Sequence, residues 1–109
     1  RVLFRPQARA EALEAQIWYE SRAIGLGLEF ARALDAAVAA AVRNPGAFAA
    51  VAGSCRRVLL RRFPFSMVYR VRGDEFLVVA VSIIGGIRQS WFVTLEASNA
   101  FKPTAKLRS

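Results

Sequence analysis

Apolar residues at Ala10, Leu13, Ile17 and Ile24 recur at helical spacing, with Glu11, Glu14 and Glu20 between them. The pattern predicts an amphipathic helix over about residues 6 to 22 with its glutamates in water. Pro6 suits a first helical turn, and Val2-Leu3-Phe4 ahead of it reads as a short opening strand. Gly25-Leu26-Gly27 breaks the helix. A second stripe, Phe30, Leu34, Val38 and Ala41, predicts another helix over about residues 27 to 43, stopped by Asn44-Pro45-Gly46. Two such helices form an antiparallel hairpin whose apolar stripes need a sheet to cover.

The period then changes. Residues from about 46 to 55 are small and apolar without clear alternation and read as a connecting loop. Three strands follow, over about 56 to 62, 65 to 72 and 75 to 82, with Arg72-Gly73-Asp74 as a tight hairpin turn. Alternation assigns Phe65, Met67, Tyr69 and Val71 to one face of the middle strand, and Ser66, Val68, Arg70 and Arg72 to the other. The expected fold class is α+β: an N-terminal strand and a helix hairpin packed on one face of an antiparallel β-sheet. The opposite face is expected to carry Arg70, joined by some of Arg57, Arg61 and Arg62. Further on, Trp91, Phe92, Val93, Leu95 and Phe101 keep no clean period. That stretch reads either as a last edge strand from Ser90 to Leu95 or as an unstructured end closing on Lys102 to Ser109.

Charge sharpens the picture. The chain of 109 residues has 16 basic and 8 acidic residues and no histidine, for a net charge of +8. Up to Cys55 six arginines face five acids, whereas from Arg56 onward ten basic residues face three acids, so the excess belongs to the C-terminal half. Fourteen of the basic residues are arginine, whose planar guanidinium favours bidentate binding of phosphate or carboxylate. The expected partners are anionic, either nucleic acid or an acidic protein segment. Hydrophobic residues make up 55% of this small chain, which leaves apolar surface for a partner to cover.

Other chemistry is excluded or muted. A lone Cys55 permits no internal disulfide and suits a reducing compartment. Without histidine it has no imidazole to activate it, and no metal or cofactor site is expected. No apolar run reaches the roughly 18 residues of a membrane span, and no leader is apparent, so a cytoplasmic location is expected.

The segment Arg56-Arg57-Val58-Leu59-Leu60-Arg61-Arg62-Phe63-Pro64-Phe65-Ser66-Met67-Val68-Tyr69-Arg70-Val71 resembles the RelE/ParE superfamily of toxins from type II toxin–antitoxin systems. Its Phe63-Pro64-Phe65 to Tyr69-Arg70-Val71 block is most similar to the ParE side. Phe4-Arg5-Pro6-Gln7-Ala8 and Trp18-Tyr19-Glu20 also fit. The resemblance covers about residues 1 to 81 and implies a toxin domain there, with a divergent tail over about 82 to 109. Where the family carries a cationic H-x-R-R-[DN]-P ending, this chain has Ser82-Ile83-Ile84-Gly85-Gly86-Ile87-Arg88. Written as TCC ATC ATC GGC GGA ATC CGN and read one base earlier, that stretch becomes His-His-Arg-Arg-Asn-Pro. The tail thus reads as a frameshifted segment, or in part as a cloning scar.

The resemblance implies a ParE-like toxin that inhibits DNA gyrase without enzymatic chemistry and forms a hetero-oligomer with a cognate antitoxin through an acidic amphipathic segment. The alternatives are a RelE-like ribosome-dependent mRNA endonuclease and an inactive relic that only binds its antitoxin. A ribonuclease would draw on Arg57, Arg61, Arg62, Arg70 and Tyr69, but arginine stays protonated and shuttles protons poorly. Tyr69 reads better as a core aromatic whose hydroxyl is satisfied at the sheet edge. For partner binding the candidates are Arg56, Arg57, Arg61, Arg62, Trp18 and Tyr19. Of the two adjacent aromatics, one should be core and the other exposed or in contact with the partner.

Overall fold

The computed structural model describes residues 1–84. A short strand β1 (Val2–Phe4) leads into helices α1 (Pro6–Arg22) and α2 (Leu26–Arg43). A 3-10 turn at Pro45–Ala47 then precedes β2 (Ala49–Ala52), β3 (Cys55–Leu59), β4 (Phe65–Arg72) and β5 (Glu75–Ile83). The sheet order is β1-β5-β4-β3-β2, antiparallel except that β1 runs parallel to β5. The sheet is therefore mixed, because the helix hairpin carries the chain from β1 across one face before β5 returns beside it. The segment expected to be a loop contributes β2, since its alanines pair with Arg56 and Arg57 of β3.

The core is an alternation of strand side chains under the two helices. Met67 pairs with Val81 and Tyr69 with Val78, and all four are buried. The register shifts between Val68 and Tyr69, and the unpaired Val79 of β5 forms a bulge. Helix α2 follows its predicted stripe, burying Phe30, Leu34 and Ala41 with Val38 half-buried. Helix α1 does not. It buries Ala8, Ala15 and Tyr19, with Ala12 half-buried on the same stripe. Leu13 and Ile17 are exposed by 54% and 60%, and Ile24 stands almost wholly in water. The reason is steric: the sheet face already holds Phe65, Met67, Val78 and Val81, so the helix lying across it fits only with small residues beneath. Glu11, expected in water, is half-buried against β5.

The hairpin of helices closes tightly. A Cβ at Gly27 would lie 2.8 Å from the Gln16 carbonyl oxygen. The Glu20 carboxylate accepts hydrogen bonds from Gly25 N at 3.0 Å and Gly27 N at 2.9 Å, satisfying amides at the start of α2 that lack a helical partner. Gly25, at φ +90, is in the left-handed region that makes this turn possible. β5 continues through Ile83, and Ile84 N donates to Pro64 O at 2.8 Å, so pairing runs past residue 81. The expected edge strand from Ser90 to Leu95 and the rest of the tail after residue 84 lie outside the described residues.

Candidate partner-binding surface

The predicted arginines do not form one row. β3 ends at Leu59, so Arg61 and Arg62 lie on the turn to β4. That turn is anchored from inside. Leu60 and Phe63 are buried on either side of the two arginines, and Leu60 N donates to Phe65 O at 2.9 Å. Phe63 packs edge-on against Tyr19 at 4.8 Å and Phe30 at 5.2 Å, with Phe65 5.1 Å from Phe30. The Phe-Pro-Phe motif thus fastens the turn onto the junction of the two helices, and the arginines between its anchors are pushed into solvent.

Register separates the others. Arg56 is opposite Tyr69 on the helix-covered face, and its Nη1 donates to Phe48 O at 2.7 Å. Arg57 is opposite Val68 and Arg70 opposite Leu77, which puts these two on the outer face of the sheet. Only Arg61 and Arg62 are brought together with residues of a helix. They border a groove of about 480 Å³ with Glu29, Arg32 and Ala33 of α2 and the edge of Phe63. Arg62 Nη2 is 3.3 Å from Glu29 Oε1. Arg32 was missed by sequence reading because its helix appeared only as an apolar stripe; its spacing from Glu29 is the one signal that would have placed both on the same helix side.

The aromatic pair divides as expected of neighbours on a helix. Tyr19 is the core member, fully buried and stacked on Phe30 at 5.4 Å. It therefore offers no surface to a partner, correcting its candidacy for that role. Burial also pushes its phenol far above the ordinary value. Trp18 is half-buried, with the Arg22 guanidinium 4.6 Å from its ring centre. Tyr69 stacks on Phe76 at 4.7 Å and its hydroxyl donates to Pro45 O. Its phenol is raised by desolvation, partly opposed by the charge of Arg56. The residues proposed for a ribonuclease are thus divided between the outer face, the turn and the core.

A second, more apolar groove of about 360 Å³ opens beside α1, bordered by Phe4, Leu13, Phe30 and Leu34, with Arg9 and Asp35 at its rims. Among the described residues no three His, Cys, Asp or Glu side chains gather as a metal site would require, and no helix is long and apolar enough to cross a membrane.

No family model and no curated protein matches the chain. Among solved structures it is similar to a chain from the chromosomal ParDE toxin–antitoxin system from P. aeruginosa, with a TM-score of 0.64 and 24% sequence identity. The match covers 76% of this chain and 94% of that one. The fold is thus RelE/ParE-like, an α+β sheet with two helices on one face.

Proposed function

We propose that this protein is a ParE-like toxin of a type II toxin–antitoxin system, acting in the cytoplasm, with DNA gyrase as its ancestral target and a cognate antitoxin as its inhibitor. The observation that carries this reading is the fold match, which spans 94% of a chain from a ParDE system. The separation of Arg57 and Arg70 from Arg61 and Arg62, with the Tyr69 hydroxyl engaged by Pro45, supports a protein inhibitor over a ribonuclease. Transition-state stabilisation would need those groups to converge on one reacting phosphate. The divergence after Val81 supports a frameshifted tail that has replaced a cationic His-His-Arg-Arg-Asn-Pro ending, leaving a chain whose toxicity is reduced or lost.

The test is to induce the chain in a bacterium, alone and with its upstream neighbour gene, in its present form and with the His-His-Arg-Arg-Asn-Pro ending restored. Growth arrest with a DNA damage response, relieved by the neighbour gene and strongest for the restored form, is expected. Translation arrest with cut mRNA would assign a ribonuclease instead. No growth effect from the restored form would remove the toxin reading.

A further inference from the structure

We infer that the groove between α2 and the β3–β4 turn is a receptor for a carboxylate side chain of an acidic amphipathic peptide segment, and that Glu29 occupies this place until such a segment arrives. Three arginines and one glutamate define the charged rim: Arg32 on α2, Arg61 and Arg62 on the turn, with Glu29 opposing them. Two guanidinium charges are therefore left over once Arg62 and Glu29 have paired. That pair is exposed, with 76% and 47% of the two side chains accessible, so water screens it and a competing carboxylate can displace it. Partly exposed Ala33, with buried Phe63 at the groove floor, adds a small apolar contact beside the charges, suiting a peptide that presents an aliphatic residue next to its acid.

The backbone supplies independent support. Arg62 has φ +72, and it is the one non-glycine residue among those described with positive φ. Glycine would hold that turn at lower cost. A charged, largely exposed side chain at a position that favours glycine, held in the fold only by a solvent-screened pair with Glu29, points to a role outside folding. Nucleic acid suits the groove less well. Phosphate backbones follow long cationic tracks, whereas Arg57 and Arg70 are on another face and Arg56 is bound to the Phe48 carbonyl, so the groove's arginines do not continue into such a track.

The inference deepens the toxin reading, since an antitoxin is the natural source of such a segment, yet it can fail on its own. The probe is a capped, fluorescent, helical peptide of repeated Glu-Glu-Leu-Leu blocks, titrated against the full chain at low and moderate salt. Arg62→Gly is expected to weaken binding roughly three- to tenfold, as loss of an exposed charge-assisted contact would, while leaving the melting temperature unchanged or raised. Arg32→Gln should weaken binding similarly. Glu29→Gln should tighten it about two- to threefold, whereas Asp74→Asn, the same change of charge at the far end of β4, should not. Absence of peptide binding, equal affinities across the variants, or equal tightening by Asp74→Asn would overturn the inference. So would a short DNA duplex that binds more tightly than the peptide and loses affinity with the same arginines. Failure of growth rescue by the upstream neighbour gene, with the peptide results intact, would instead count against the toxin reading alone.

Discussion

The Glu11 carboxylate accepts a hydrogen bond from Val81 N at 2.9 Å, joining residues 70 positions apart. β1 pairs with β5 only as far as Phe4 opposite Val78, then leaves to begin α1. Val81 lies beyond that last pairing, and the helix returns a side chain to do what the missing strand would have done. A buried amide without an acceptor is costly, so the glutamate completes the sheet.

Glu11→Ala should therefore destabilise the fold by about 1–3 kcal/mol, the usual effect of orphaning a buried donor. Glu11→Gln keeps a carbonyl acceptor and should lose clearly less. Urea unfolding of the two variants compares them directly, and equal losses would show that the bond contributes nothing.

At Gly27 helix propensity and packing act in opposite directions. Alanine is favoured over glycine inside a helix by about 1 kcal/mol, but its Cβ would sit 2.8 Å from the Gln16 carbonyl oxygen and 2.9 Å from the Glu20 carboxylate. The carboxylate can swing aside, whereas the carbonyl belongs to α1 and cannot. Gly27→Ala should lower stability by about 1–3 kcal/mol, as overpacking does, and a gain on thermal melting would contradict this account of the helix crossing.

Both tyrosines of the chain have phenols raised above the ordinary value of 10.0, each chiefly by desolvation. Their protonated forms are favoured in the folded state. The stability this contributes is fully present below pH 10 and is lost as pH rises above it. Spectrophotometric titration should show little phenolate near pH 10 and then a rise that coincides with loss of the near-ultraviolet circular dichroism. Normal titration of both phenols without unfolding would refute the burial of Tyr19 and the Tyr69–Pro45 bond together.

Tyr19→Ala should cost about 3–5 kcal/mol, because it empties the centre of the cluster with Phe30, Phe63 and Phe65. Since that cluster also anchors the β3–β4 turn, the same variant should bind the acidic peptide more weakly, whereas Tyr19→Phe should retain both properties. Calorimetry and the peptide titration together check this.

If the tail is frameshifted, ending the chain after residue 90 should change unfolding free energy by less than about 1 kcal/mol, since unselected sequence buries little area at roughly 25 cal/mol per Å². A shortened chain that no longer folds would show instead that Trp91 and its neighbours belong to the domain.

Apart from β2, whose alanines carry no clear alternation, the element order was legible in the sequence because local signals agree with the fold. Pro6 opens α1, Asn44-Pro45-Gly46 closes α2, and alternation through β4 separates Phe65, Met67 and Tyr69 from Arg70. Three things were decided only by tertiary structure. The face of α1 that packs inward is its alanine side, because space above a filled sheet outweighs the hydrophobicity of Leu13 and Ile17. The parallel placement of β1 beside β5, and with it the need for Glu11, depends on a pairing between distant segments that no local pattern encodes. The site follows the same rule: strand periodicity could say that arginines alternate with core residues. It could not show that β3 stops at Leu59 or that Phe63 turns inward, and those two events carry Arg61 and Arg62 out of the sheet to meet Glu29 and Arg32.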